Sequence, residues 1–285
     1  MDGANPGPWV DRDLTEPEPW KTHAGIVKFF EFPVPIKKMS SRSFHLYWQK
    51  HHSPNVMNIT PFAQFMRKYN SGHRYPEMQL DLPSHYSQDV PFEGAAEVWI
   101  NSITEVGDWL GHPLYPQLIQ PDEPRFISQD GEVEIVVTKE ERLYEPEPDL
   151  CENLLTKTYL IFRRDSGDDF DRFHGTASAL AKQILAQASL KSRLKKLVVS
   201  HRLREPFPLA DFALSDIDVV LELWFQTLAE AQAFFSDPVY QAVILPYEEK
   251  HLRPAAVLAL TAKMRVVHDE FSFQPSTTQP LPFSW

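Results

Sequence analysis

Short alternating apolar runs and longer segments of helical spacing follow one another along the chain in a fixed order that occurs twice. In the first part, Gly25–Phe32 is rich in strand-forming residues, and Ser40–His52 carries Phe44, Tyr47 and Trp48 at the spacing of one helix face. Ser40 or Ser41 can cap this helix, and Pro54 predicts its end. Strands are then expected over Phe62–Tyr69, Ala95–Asn101 and Glu132–Thr138, with a helix over Ile103–Leu110 before the last. The second part repeats this order. Thr156–Phe162 reads as a strand, Phe170–Gln187 as a long Ala-rich helix, Lys195–His201 and Asp218–Phe225 as strands, Ala229–Phe235 as a helix and Ala255–Ala262 as the closing strand.

The repetition extends to residue identity. Glu97-Val98-Trp99 lies on Glu222-Leu223-Trp224 at a shift of 125 residues, and the same shift matches Pro113, Tyr115, Ile119, Pro121 and Glu123 to Pro238, Tyr240, Ile244, Pro246 and Glu248. A weaker echo at an offset of 128 relates His73-Arg74 to His201-Arg202. The fold class is therefore α+β, with two tandem ferredoxin-like βαββαβ repeats. Each such unit leaves one sheet face bare, and two in one chain can press these faces together into a barrel with helices outside. Along the third strand of each unit, Val98 and Ile100 point beneath the helices, whereas Glu97 and Trp99, like Glu222 and Trp224, point to the sheet-on-sheet interior. That pattern predicts an aromatic-walled hollow inside the barrel, holding an ionisable group.

The expected organisation is a tail over residues 1–24, a first repeat over 25–143, an acidic Pro-rich linker over 144–154, a second repeat over 155–268 and a tail over 269–285. Trp20, Phe271, Phe273 and Trp285 are candidate anchors for the tails, and Tyr75–Phe92 is a long aperiodic insertion that reads as a lid or a plain loop. A net charge of −11 disfavours nucleic acid and anionic membrane surfaces as partners. The single cysteine, Cys151, permits no intrachain disulfide, and the start lacks the basic and apolar regions of a secretory signal, so a cytoplasmic protein is expected. Eleven histidines invite a metal, but His51 and His52 are adjacent and no His-Glu-x-x-His occurs, so no metal is expected. Nucleotide-binding glycine loops are absent as well, and no cofactor is expected.

The stretch Ser43-Phe44-His45-Leu46-Tyr47-Trp48-Gln49-Lys50-His51-His52-Ser53-Pro54, followed by Tyr69 and His73, resembles the EthD family. The Glu97-Val98-Trp99 and Glu222-Leu223-Trp224 strands, each followed by a helix and a Pro-x-Tyr, resemble that family's later half. In the second repeat the helix motif has decayed to Phe170-Asp171-Arg172-Phe173-His174. The resemblance implies a dimeric α/β barrel, here fused within one chain that is either a monomer or a homodimer. It also implies a fungal enzyme of aromatic polyketide metabolism that acts on a small-molecule substrate without a cofactor. The leading expectation is a lyase, a dehydratase or cyclase, with His52, His73 and Glu97 as proton-handling residues. Tyr47, His51, Tyr69, Trp99, Trp224 and Glu222 are the expected substrate contacts. A cofactor-independent monooxygenase of phenols and a non-catalytic ligand-binding or stress-type barrel are the alternatives. Haem held by His174 or His201 is a further one.

Overall fold

A computed structural model describes residues 25–130, 133–147, 150–204, 214–252 and 257–271. Trp20, Phe273 and Trp285 lie outside the described residues. The first unit runs β1 (Val27–Phe32), α1 (Ser41–Tyr47), a π-helical turn (Trp48–His52), α2 (Ser53–Asn58), α3 (Thr60–Ala63), β2 (Lys68–His73), a two-residue strand β3 (Tyr86–Ser87), β4 (Gly94–Ile100), α4 (Ile103–Leu110) and β5 (Glu134–Tyr144). The second runs β6 (Thr156–Arg163), α5 (Phe170–Ala186), α6 (Ala188–Lys191), β7 (Lys196–Arg202), β8 (Ile217–Phe225), α7 (Leu228–Phe235), α8 (Leu245–His251) and β9 (Val257–Asp269).

Within each unit the sheet order is that of a ferredoxin-like fold, β2-β4-β1-β5 and β7-β8-β6-β9. The two sheets join edge to edge at both sides, β5 on β7 and β9 on β2, each antiparallel, so eight strands close into a barrel. Closure removes the exposed edges that a lone unit would present.

Three local expectations change. Phe62 lies in α3, because Pro61 suits the first turn of a helix, and the strand starts at Lys68. The helix does not stop before Pro54. The Ser53 amide reaches back to the Trp48 carbonyl across the π-helical turn, and Pro54 then enters the first turn of α2, where its missing N–H costs nothing. β5 and β9 run on through charged and polar residues to Tyr144 and Asp269 because a strand of the other unit pairs with each extension.

The barrel interior is filled rather than hollow, which overturns the expected ring-lined cavity there. Lys28 and Lys157, on strands beside β4 and β8, occupy the same layer as Glu97 and Glu222. Lys28 Nζ lies 2.6 Å from both Glu97 and Glu222 and 3.1 Å from Glu140. Lys157 Nζ lies 2.6 Å from Glu97 and also contacts Glu222. The Tyr159 hydroxyl donates to Glu97 at 2.5 Å, and Ser200 donates to Glu222. Burial raises the Glu97 carboxyl, but Lys157 and Lys28 outweigh it and hold the group below the ordinary carboxylate range. Trp99 and Trp224 pack over these ammonium groups, Lys28 at 4.5 Å and Lys157 at 4.3 Å from the ring centres. At one end of the barrel Glu152, from the segment between the units, accepts from Lys68, Lys196 and Asn70. The interior is thus a paired ionic core flanked by Phe30, Phe32, Ile161, Leu260 and Met264.

Candidate functional site

A cavity of about 280 Å³ lies on the other side of the first unit's sheet, between its outer face and the covering helices. Strand alternation explains this placement. In β1, Lys28, Phe30 and Phe32 turn into the barrel, so Val27, Phe29 and Glu31 turn outward beneath the helices. Ala96 and Val98 of β4 and Tyr69 of β2 complete the floor. The roof comes from the kinked helix, which supplies Trp48, His52 and Val56, and from α3, α4 and the segment after α4, which supply Phe62, Trp109, Tyr115, Ile119, Glu123 and Phe126. Among the described residues no lysine or arginine lines this space.

Four polar groups give the apolar cavity its chemistry. His52 Nδ1 is 3.0 Å from Asp122 Oδ2, and Tyr47 donates to the other oxygen of Asp122 at 2.5 Å. The hydrogen bond from His52 holds the Asp122 carboxyl below its ordinary range. An anionic Asp122 can only accept, so His52 donates through Nδ1 and its Nε2 is left to act as a base. The His52 ring rests on Phe126 at 4.8 Å, which fixes its plane.

Glu31 is the second group. It makes no hydrogen bond or ion pair to any described residue, and it is half-buried and lines the cavity. Burial, followed by the nearby Glu123 carboxylate, pushes its carboxyl up to about 8. At neutral pH Glu31 is therefore a protonated acid facing the cavity from the sheet side, opposite His52 in the helix layer. Glu123 is also raised by burial and accepts from the Tyr115 hydroxyl at 2.8 Å. The Tyr69 hydroxyl accepts from Trp48 Nε1 at 2.9 Å and meets Ser53 Oγ at 3.1 Å. Trp48 can pack close to β4 because that strand begins with Gly94, where a Cβ would come within 2.9 Å of the indole and clash with the Gly72 carbonyl.

Of the residues expected from sequence, His52 and Tyr69 meet in this cavity. Tyr47 reaches it only through Asp122, and His51 lies on the exposed side of the helix against Tyr47. His73 is not on a loop. It is the last residue of β2, 1% exposed, behind the Trp48 indole, with Nδ1 3.0 Å from Nδ1 of His45. Burial, then the His45 imidazole, lowers its basicity well below the usual histidine range. Glu97, Trp99, Glu222 and Trp224 belong to the ionic core of the barrel, across the sheet from the cavity. His174 and His201 form a second imidazole pair, also Nδ1 to Nδ1 at 3.0 Å. Among the described residues no cluster of three or more histidine, cysteine or acidic side chains is arranged to hold a metal ion. Nor is any described helix long and apolar enough to cross a membrane.

Glu31 and Asp122 were not singled out from sequence, although a signal for both was present, and Tyr115 and Glu123 stood out only as repeated residues. Strand register sets Phe30 opposite Glu97 and Tyr159 opposite Glu222, so Glu31 corresponds to Leu160. The 125-residue shift sets Asp122 on Tyr247, and the imidazole pairs set Trp48 on Ala177. Register also sets Tyr69 on Leu197. Glu31 and Tyr69 thus line the cavity at positions where the second unit has Leu160 and Leu197. In the second unit, Leu160, Ala177, Leu197 and their neighbours form closed apolar packing, into which Tyr86 of the Tyr75–Phe92 insertion is inserted.

Two bare-faced sheets closed into one barrel, with a cavity of about 280 Å³ beneath the helices of the first unit, define a single-chain α/β barrel. The EthD domain matches residues 37–130 and 167–254, and the chain belongs to that family. No curated protein matches the sequence. Among solved structures, an anthrone oxidase-like protein is 8% identical with a TM-score of 0.51, covering 90% of this chain and 98% of its own. A protein of Fusobacterium nucleatum described as a proposed monooxygenase is 8% identical with a TM-score of 0.50, covering 90% of this chain and 99% of its own. These likenesses concern the fold.

Proposed function

We propose that the protein is a lyase of the dehydratase or cyclase type. It acts on a neutral, aromatic polyketide-like molecule in the cavity of the first unit, with its own side chains supplying the acid and the base. One observation carries this reading: an isolated, protonated Glu31 faces a His52–Asp122 dyad across an aromatic space that no described lysine or arginine lines. His52 Nε2 takes a proton from the carbon next to a ketone. The released electron pair forms the C=C bond as the adjacent C–O bond breaks, and the departing hydroxyl takes the Glu31 proton and leaves as water. Exchange of the proton on His52 back to Glu31 resets the site. Asp122 stabilises the imidazolium formed on the way, and Trp48, Trp109 and Phe62 hold the ring system flat.

A cofactor-independent oxygenase is the second reading, in line with the names of the two similar structures. It would use the His52–Asp122 base to form a carbanion or phenolate for reaction with dioxygen, and it leaves the Glu31 proton without a task. The experiment uses cyclic β-hydroxy ketones that aromatise on loss of water, followed by absorbance under argon and in air. Equal turnover in both atmospheres is expected, with kcat reduced about 10²- to 10⁴-fold in His52→Ala and in Glu31→Gln. A requirement for dioxygen, or full activity of Glu31→Gln, would overturn the lyase reading.

A further inference from the structure

The second unit keeps the Tyr–Glu pair of the first but has lost the base and the acid. Tyr240 and Glu248 correspond to Tyr115 and Glu123 at the 125-residue shift. Between them sits a phenol supplied by the chain itself. The insertion that leaves β2 crosses to the second unit, pairs Tyr86 and Ser87 alongside Val257 and Leu258, and drives the Tyr86 ring beneath the helices against Phe235. The Tyr86 hydroxyl lies 2.5 Å from the Tyr240 hydroxyl and donates to Glu248 at 2.5 Å. Tyr86, Tyr240 and Glu248 are all buried. In the first unit no phenol is interposed, and Tyr115 donates straight to Glu123 at 2.8 Å. The two units therefore show one device twice: occupied by a phenolic hydroxyl in one, and closed on itself in the other.

We infer that Tyr115 and Glu123 anchor a phenolic hydroxyl of the ligand in the first cavity, in the way that Tyr240 and Glu248 hold Tyr86 in the second unit. The incoming hydroxyl accepts from Tyr115 and donates to Glu123, replacing one direct hydrogen bond with two. Such a relay selects a group that can both give and take a hydrogen bond, so a phenol is retained while its methyl ether is refused. The ring carried by that hydroxyl then packs against the aromatic wall formed by Phe62 and Trp109, as the Tyr86 ring packs edge-on against Phe235. The inference rests on the proposed function for the identity of the cavity, but it concerns binding rather than turnover.

Calorimetric titration with 2-naphthol and with 2-methoxynaphthalene tests it. The wild-type protein should bind the naphthol about 10- to 100-fold more tightly, the range of a buried hydrogen bond to a charged group. Tyr115→Phe and Glu123→Gln should each reduce that preference to less than about threefold. His52→Ala should keep the preference even as turnover falls by the factor given above. Equal affinity of the wild type for both probes, no binding of either, or an intact preference in the folded Tyr115→Phe and Glu123→Gln variants would overturn the inference. A preserved phenol preference with no turnover on any β-hydroxy ketone would instead overturn the lyase reading and leave the anchor standing. Circular dichroism on both variants establishes folding, and either one suffices for the decision.

Discussion

Replacing Glu31 by leucine should make the protein more stable and catalytically inert, and the gain should depend on pH in a defined way. Leu160 occupies the corresponding position in the second unit, fully buried in close packing, so a leucine suits the backbone there. The Glu31 carboxyl stands at about 8 in the folded chain against an ordinary 4.5. Protonated carboxyl is thus what the fold favours, and stability from this group is fully present below pH 4.5 and is lost as pH rises to 8. Each unit of pH across that window is worth about 1.4 kcal/mol, so at pH 7 the wild type carries a penalty of about 3 kcal/mol that the leucine variant lacks. The side chain is half-buried where it lines the cavity. Water held there lowers the figure, and apolar contacts made by the leucine add to it. Urea unfolding of both proteins at pH 5, 6, 7 and 8 reads the effect directly. The difference in unfolding free energy should widen by at least about 1 kcal/mol per pH unit between 5 and 7 and level off above 8. A difference that stays constant across this range would show that Glu31 ionises as it does in water, and the acid role assigned to it would fall.

Lys28→Met should cost about 3–5 kcal/mol, because it leaves three buried carboxylates, Glu97, Glu140 and Glu222, with one cation fewer between them. A loss under 1 kcal/mol by denaturant unfolding would refute the ionic-core description. Tyr86→Ala should cost about 3–5 kcal/mol and open a cavity beside Tyr240 and Glu248. Added p-cresol should recover thermal stability more effectively than toluene at equal concentration, and equal recovery would refute selection by the hydroxyl.

The doubled βαββαβ order was legible because each strand alternates clearly and each helix carries one apolar face, and those periods survive the loss of any single residue. What escaped the sequence was which face of the sheet carries the chemistry. Glu97 and Trp99 were correctly assigned to the barrel interior, yet a carboxylate in an apolar layer demands a counter-ion. Lys28 stands directly opposite Trp99, and Lys157 directly opposite Trp224, in the neighbouring strands, with the same inward phase. Reading carboxylate and lysine together fills the interior and moves any ligand to the outer face. Polar Asn70-Ser71-Gly72 has little strand propensity and becomes β2 only because β4 and β9 pair with it from both sides, a long-range effect with no local signature. Asp122 was invisible for a similar reason. It is 70 residues from His52 in sequence, and only the fold of the segment after α4 brings them to 3.0 Å.

Fusion of the two units into one chain explains how a symmetric scaffold can hold an asymmetric site. In a barrel made from two identical chains, any residue that fills one cavity fills both, so a plug and a working cavity cannot coexist. In a single chain the first unit can lend Tyr86 to the second without closing its own cavity. The second unit can then trade an ionisable residue for Leu160 and small residues for the roof, and gain packing where no ligand must enter. Both units meanwhile keep the Glu–Trp strand and its lysines, because each half of the ionic core needs the carboxylate of the other: Lys28 of the first unit contacts Glu222 of the second, and Lys157 of the second contacts Glu97 of the first. The shared Glu–Trp strands and their lysines therefore hold the barrel closed, and the exchange of Glu31 and Tyr69 for Leu160 and Leu197 separates the cavity of the first unit from the packed second unit.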